Sequence, residues 1–298
     1  FFAAAISLDR IETGAESAAQ PEAAKPGSEK NPYQVRSAAQ LQFINWNYGC
    51  LSAEYGIPNN TRAGGWTFDE NSARFSYLVF SSDRQKAAGA KPLVWQQSHD
   101  IDAYKEYGAG PDGRTARLHV PIGSMVDIEG ADKAKASAYI AFFTSTYDGQ
   151  DYVIKNLEIN SDLQCVGIFG ITAAAKLRNI VMYTDRNNTV TGRSASVPNW
   201  YCMGGLVGFA TRGDPEVFYD TSDSISNCTV SGYQILDLHS QDGGWGGGNI
   251  GGLVGATNIN IQNCTAVNDI RISFTYTAIW NNIRVGGIAG VCRSEIHS

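Results

Sequence analysis

Charged residues are scarce in this chain of 298 residues, and acidic residues slightly outnumber basic ones. Asp, Glu, Lys and Arg make up 17% of the sequence, and the net charge is −6. Average globular chains contain about 25% charged residues, and nucleic-acid binding needs a basic face that an acidic chain does not supply. We therefore expect no nucleic-acid partner and no attraction to anionic membranes.

Long apolar runs are also missing. The N-terminal stretch from Phe1 to Leu8 is much shorter than the ~20 residues that cross a bilayer, so we expect no membrane span. We interpret it as the edge of a trimmed chain or the remnant of a removed signal or anchor. Residues 12–30 contain no large apolar group, so residues 1–31 are predicted to be a flexible linker or anchor remnant.

Glycine is abundant, with 32 residues, and hydrophobic residues make up 43% of the chain. This composition excludes wholesale disorder and disfavours helix bundles and coiled coils. It is typical of an all-β, turn-rich and often extracellular protein.

Ordered structure is predicted to begin near residue 32. Tyr33 and Val35 alternate as in a short strand, and Ser37 is a candidate N-cap for a short helix that contains Leu41 and Ile44. Such a helix would cap an open stack of strands. We predict a cap and first rungs with insertions over residues 32–150, and a polar loop over residues 103–113.

Residues 151–298 contain an internal repeat with two elements. One is Gly-x-x-Gly, whose leading glycines recur at intervals of 35 to 47 residues, at Gly167, Gly205, Gly252 and Gly287. The other is an aliphatic residue, any residue and an asparagine, and its four asparagines are Asn156, Asn179, Asn227 and Asn263. Fixed short strands separated by variable loops indicate a solenoid.

The chemistry of the two elements agrees with stacked parallel strands. Asparagine tolerates the left-handed conformation of a sharp bend, and stacked asparagines can hydrogen-bond from one rung to the next. Repeated glycines imply close backbone approach. We therefore predict that the four asparagines form one structural ladder along a single edge.

These motifs resemble those of bacterial cell-surface proteins with GLUG motifs, clearest in Gly204-Gly205-Leu206-Val207-Gly208 and Gly251-Gly252-Leu253-Val254-Gly255. The resemblance covers roughly residues 32–298. It implies a right-handed parallel β-helix in a secreted or cell-surface protein that acts as an adhesin or stalk, and some family members precede immunoglobulin A peptidase domains. No catalytic residue and no cofactor accompanies the motif.

Residues with catalytic potential are few. The four histidines do not form a His-Glu-x-x-His helix, so a zinc peptidase of that type is not expected, and no metal site is predicted. Paired carboxylates could cleave polysaccharide on a strand face, and the candidates are Asp100 with Asp102, Asp127 with Glu129, and Asp148. We favour structural roles for these carboxylates.

Loop aromatics are the candidate ligand-binding residues, because exposed aromatic side chains on loops often contact ligands. They are Trp66, Tyr104, Tyr107, Trp200 and Trp245. Partial burial is the alternative for each of them.

The preferred hypothesis is a non-enzymatic, exported bacterial adhesin or stalk that binds a glycan or a host or matrix protein. The alternatives are a β-helix carbohydrate-active enzyme and a pilus subunit, although Ala5 stands where pilin-like proteins carry glutamate.

The last repeat stops without an asparagine strand, so we expect either continuation of the polypeptide or self-association at the C-terminal edge. The six cysteines permit disulfides in an exported protein, but we favour free thiols.

Overall fold

The computed structural model describes most of the chain beyond residue 26. The described residues are 27–42, 44, 67–68, 78–79, 93–123, 125–126, 139–140, 143, 145–161, 165–192, 201–212, 223–237, 247–272, 282–292 and 296–297. Within these ranges the protein is mostly β-strand, as its composition predicts.

The strands are numbered in chain order and the one bounded helix is α1. They are β1 (Tyr33–Val35), β2 (Thr67–Phe68), β3 (Leu78–Val79), β4 (Val94–Gln97), β5 (Ile101–Asp102), α1 (Ala103–Tyr107), β6 (Met125–Val126), β7 (Tyr139–Ile140), β8 (Thr146–Asp148), β9 (Val153–Lys155), β10 (Ile159–Ser161), β11 (Cys165–Val166), β12 (Phe169–Ala173), β13 (Lys176–Arg178), β14 (Val181–Tyr183), β15 (Thr189–Gly192), β16 (Tyr201–Gly204), β17 (Val207–Thr211), β18 (Ser224–Ser226), β19 (Thr229–Asp237), β20 (Gly247–Gly251), β21 (Val254–Thr257), β22 (Asn260–Gln262), β23 (Thr265–Ile272), β24 (Asn282–Gly286), β25 (Ala289–Cys292) and β26 (Ile296–His297).

Four parallel sheets hold nearly all of these strands. The first sheet has the order β1-β4-β8-β13-β18-β22-β26, and the second has the order β10-β15-β19-β14-β9-β5 with β23 added to β19. The third sheet is β11-β16-β20-β24 and the fourth is β12-β17-β21-β25. Two antiparallel pairs, β2-β3 and β6-β7, stand apart.

The chain visits the four sheets in the same order in each circuit. From β13 in the first sheet it passes through β14 and β15 in the second, β16 in the third and β17 in the fourth, and then returns to the first at β18. The next circuit repeats this path and ends at β22. The repeat in the sequence therefore corresponds to one circuit of the chain.

The core is built from residues that share a register position in neighbouring strands. In the first sheet, Trp95 aligns with Tyr147, Tyr147 with Leu177, Leu177 with Ile225, and Ile225 with Ile261. All five side chains are buried. Successive side chains of a strand point to opposite faces of the sheet. One apolar residue per strand on the inner face is therefore enough to build a continuous column.

Ser37 begins a short helical segment. Residues 38–42 are helical, the Ser37 hydroxyl accepts from the Gln40 N–H at 3.1 Å, and Leu41 and Ile44 are buried. Because the described helical residues amount to about one turn, a capping role for this segment stays a prediction. The predicted linker at residues 1–31 lies largely outside the described residues.

The predicted polar loop over residues 103–113 is wrong in its first half, which is helix α1. Asp102 caps this helix, because its carboxylate accepts from the backbone N–H groups of Tyr104 and Lys105. Gly108 ends the helix with a positive φ of 79°.

Candidate functional site

Three of the four repeat asparagines form one column at the corner where the chain leaves the first sheet. The Asn263 amide donates to Asn227 Oδ1 at 3.3 Å, and the Asn227 amide donates to Asn179 Oδ1 at 3.1 Å. Their φ angles are 51°, 53° and 54°, in the left-handed region. The sharp bends and the rung-to-rung hydrogen bonds expected from the sequence are both present at these three positions.

Asp148 ends this column as its last acceptor. The Asn179 amide donates to Asp148 Oδ1 at 2.9 Å, and Arg178 Nε lies 2.8 Å from Asp148 Oδ2. The backbone N–H of Gln150 also donates to Asp148. These bonds occupy both carboxylate oxygens, so Asp148 has a structural role in the ladder.

The prediction that Asn156 belongs to the same edge is wrong. Asn156 follows β9 in the second sheet, whereas the other three follow strands of the first sheet. Its amide donates to Asp102 Oδ1 at 3.3 Å, and its own oxygen accepts from Thr184 and from the Asp185 N–H. Asn156 has the same local motif as the ladder asparagines and a similar left-handed φ of 59°. The local sequence, however, does not specify which sheet a strand joins.

We predict that the column contributes measurable stability. Asn227→Ala should lower the free energy of unfolding by about 1 kcal/mol more than Asn187→Ala, because it removes two side-chain hydrogen bonds. Asn187 is the matched control, since it is exposed and has a similar φ of 55°. Urea denaturation measures both variants, and equal losses would contradict a stabilising ladder.

The second glycine of each repeat lies where neighbouring backbones come close. A Cβ at Gly208 would lie 2.6 Å from Val166 N and 2.7 Å from Gly170 O, and one at Gly290 would lie 2.7 Å from Gly255 O. Real Cβ atoms essentially never approach this closely. The close approach that the repeated glycines indicate is therefore present.

Two of the predicted ligand-binding residues, Tyr104 and Tyr107, lie on α1. They are three residues apart, so their side chains are neighbours on the helix surface. The guanidinium of Arg186 lies 4.0 Å from the Tyr104 ring centre, and that of Arg117 lies 5.0 Å from the Tyr107 ring centre. We call these four residues the tyrosine–arginine face. Both tyrosines are half-buried.

A cluster of polar groups surrounds the buried Glu158, which directly precedes β10. Glu158 accepts from the Thr189 N–H at 2.8 Å and from the Thr189 hydroxyl at 2.6 Å, and Arg114 lies 3.6 Å from Glu158 Oε1. Burial raises the pKa of the Glu158 carboxyl, and the bonds from Thr189 oppose that shift. A buried carboxyl with a raised pKa is also the kind of group that can act as a general acid.

Lys155 and Asp185 form an ion pair at the border of the face. Their charged atoms lie 2.7 Å apart, and Lys155 Nζ lies 5.3 Å from the Tyr183 ring centre. The hydrogen bond from Lys155 lowers the pKa of Asp185. The face therefore combines two aromatic rings with two positively charged guanidinium groups, and this ion pair adds one charge of each sign beside Arg186 in the sequence.

Sequence reasoning missed Arg117, Arg186, Arg114 and Glu158. Arg186 lies in a loop after β14, far from Tyr104 in the sequence, and the parallel pairing of β5 with β9 and of β9 with β14 brings that loop toward α1. No local signal identifies such a pair.

Asp100 and Asp102, the first predicted carboxylate pair, take part in local structure. Asp100 accepts from the backbone N–H of Val153 at 2.8 Å, and Asp102 caps α1 and accepts from Asn156. The other predicted positions lie outside the described residues: Trp66, Trp200, Trp245, Asp127 and Glu129. In the described part of the chain, no group of three or more His, Cys, Asp or Glu side chains is arranged to hold a metal ion.

His119 is buried in its neutral form, and its backbone N–H donates to the Glu158 carbonyl. Its Nε2–H donates to the Ile168 carbonyl at 3.1 Å, and burial lowers its pKa to about 4. Because the unfolded imidazole titrates near 6.5, the unfolded state binds more protons than the folded state between about pH 6.5 and 4. Stability therefore decreases as the pH falls through this window.

We predict a loss of up to about 3 kcal/mol from this group between pH 7 and pH 4. Urea denaturation across that range measures it, and His119→Gln, which keeps a donor for Ile168 but does not titrate, is the control. Glu158 contributes the opposite pH dependence of stability, because its pKa is raised in the folded protein and the folded state therefore binds more protons there than the unfolded state. An equal pH dependence in the wild type and in His119→Gln would refute the assignment.

The described strands lie mostly in parallel sheets, and the comparison with known families agrees with the repeated motifs. The family model of the GLUG motif matches residues 201–235 and 246–271. These ranges include two of the four Gly-x-x-Gly copies. The chain thus carries GLUG motifs, as the sequence resemblance predicts and as in GLUG-containing bacterial surface proteins. Proteins with this motif are typically extracellular.

A comparison with curated proteins finds no match. Among solved structures, the chain is similar to the crystal structure of "a putative immunoglobulin A1 protease from Bacteroides ovatus", with 14% sequence identity over 91% of this chain and 76% of that chain. The TM-score is 0.33, which is too low to establish a shared fold. Within the described residues, no helix has the length and apolar character needed to cross a membrane.

Proposed function

We propose that this chain is a right-handed parallel β-helix that serves as an adhesin or stalk on the bacterial surface. The repeated circuit through four parallel sheets supports the architecture, since each circuit adds strands to the same four sheets in the same order. The expected hand is the one that parallel crossover connections almost always adopt. The GLUG motifs support an extracellular location.

The binding role is assigned to the tyrosine–arginine face, and the ligand class we propose is a glycan. Sugars stack their apolar faces on aromatic rings and hydrogen-bond to charged planar groups, and Tyr104 with Arg186 offers both within 4.0 Å. This juxtaposition is the observation that carries the assignment. Arg186 covers one side of the Tyr104 ring, so a sugar would use the other side or displace the guanidinium.

A glycan array with the full chain tests this proposal, followed by calorimetry on any glycan bound. Tyr104→Ala and Arg186→Ala should each weaken binding at least tenfold, or about 1.4 kcal/mol. Tyr152→Ala removes an exposed tyrosine outside the face and should leave affinity unchanged. Binding that survives both substitutions in the face, or no binding to any glycan, would overturn the assignment.

The second candidate is a carbohydrate-cleaving enzyme, and the raised pKa of Glu158 beside Arg114 is the observation that favours it. A reducing-sugar release assay on the glycans bound in the array separates the two functions. Release that is abolished by Glu158→Gln would favour the enzyme, whereas binding without release favours the adhesin.

A further inference from the structure

Two pairs of cysteines lie side by side in successive circuits of the chain. Cys165 in β11 is the register partner of Cys202 in β16. Cys228 and Cys264 stack in the same way at the corner after the first sheet, because the residues on both sides of them are register partners. All four carry free thiols.

The Cys228–Cys264 pair has the geometry of a potential cross-link. The backbone N–H of Cys228 donates to Cys264 Sγ at 3.4 Å. Each thiol also donates to the carbonyl two residues before it, Cys228 to Ser226 at 3.2 Å and Cys264 to Gln262 at 3.1 Å. Neighbouring parallel strands lie about 4.8 Å apart, within the range of about 4.4–6.8 Å that Cα atoms in disulfides span.

The two thiols of this pair differ in access and acidity. Cys264 is partly exposed, whereas Cys228 is fully buried. The adjacent Cys228 side chain and the Cys228 backbone N–H lower the pKa of Cys264, and burial raises the pKa of Cys228. Since the thiolate is the attacking species, Cys264 is the thiol that would react first with an oxidant from solution.

The Cys165–Cys202 pair provides an internal contrast. Both side chains are fully buried. The hydrogen bond with Cys202, together with burial, raises the pKa of Cys165 well above its usual value. The second pair therefore has a similar spacing without an accessible member.

We propose that Cys228 and Cys264 form a redox site that closes into a disulfide between successive rungs on exposure to a small-molecule disulfide. The Cys264 thiolate attacks one sulfur of oxidised glutathione, and the S–S bond breaks to release one glutathione thiolate, which takes up a proton. Cys228 then loses its proton to solvent and attacks the Cys264 sulfur, which expels the second glutathione thiolate. Two cysteine thiols are oxidised, and one glutathione disulfide is reduced to two thiols.

The test is to incubate the reduced, folded full chain with oxidised glutathione, quench it in acid, alkylate it in denaturant and map its peptides by mass spectrometry. The expected product contains a Cys228–Cys264 linkage, while Cys165 and Cys202 are recovered as alkylated thiols. The melting temperature should rise by several degrees and return to its original value when a reductant is added.

Two single substitutions test the order of the steps, and circular dichroism verifies that both variants are folded. Cys228→Ser should retain one glutathionyl group on Cys264, because the resolving thiol is gone. Cys264→Ser should react at least tenfold more slowly at Cys228. The proposal is overturned if the wild type stops at the mixed disulfide, if Cys264 links to another cysteine instead, or if the Cys165–Cys202 pair oxidises first.

Discussion

Gly255→Ala should destabilise the protein by about 3 kcal/mol, at the upper end of the range for overpacking, and lower its melting temperature by roughly 6–12 °C. A Cβ at this position would lie 2.5 Å from the Gly208 carbonyl oxygen, 2.8 Å from the Asn249 carbonyl oxygen and closer still to the Met203 amide nitrogen. All three are backbone atoms of elements that are held in parallel ladders, so they cannot move aside as a flexible side chain would. Thermal and urea denaturation followed by circular dichroism measure the effect.

Gly287→Ala is the matched control for this substitution. Gly287 belongs to the next copy of the same motif, but a Cβ there would meet no atom within 4 Å. Its stability should change by no more than about 0.5 kcal/mol. If Gly255→Ala were tolerated as well as Gly287→Ala, close backbone packing would not be the reason for the repeated glycines.

Phe169→Ala should cost about 3–5 kcal/mol, the largest side-chain effect we predict. The Phe169 ring is fully buried, with its centre 4.9 Å from that of Phe143 and 5.7 Å from that of Tyr147. Removing the ring leaves a cavity between the rings of Phe143 and Tyr147, and these large rings cannot easily move to fill it. Leu118→Ala, at a side chain that is 47% exposed, should cost less than about 1 kcal/mol.

The same denaturation experiments distinguish a local from a general loss of packing. If Phe169→Ala is no more destabilising than Leu118→Ala, the aromatic cluster does not hold the first circuits together. A loss in the expected range would show that the packing of Phe169 against Phe143 and Tyr147 stabilises the core.

The repeat positions could be predicted from sequence because they report local backbone requirements. Asn179, Asn227 and Asn263 occupy left-handed corners that few residues tolerate, and Gly208 and Gly255 lie where a side chain would collide with the next strand. These constraints recur in every circuit, so they leave a periodic trace. The cap at Asp102 is a local signal for helix α1, but the segment that follows is short and polar, as a loop would be.

The candidate site was only partly predictable. Tyr104 and Tyr107 could be selected as aromatic residues in a polar segment, but nothing near them in the sequence indicates Arg186 or Arg117 as their partners. Contacts of this kind depend on which loops the parallel pairing stacks on one another. Loop lengths vary from one circuit to the next. The spacing of the motifs therefore does not predict which residues of two distant loops come into contact.

The sequence by itself determined that this is a β-rich protein with GLUG motifs and with repeated asparagine and glycine positions, because composition and local conformational preference act on each residue separately. Only the tertiary structure decided which distant positions meet. It placed Asn156 in the second sheet and made Asp148 the last acceptor of the ladder. The physical reason is that strand register is set by the packing of whole circuits, which no single motif encodes.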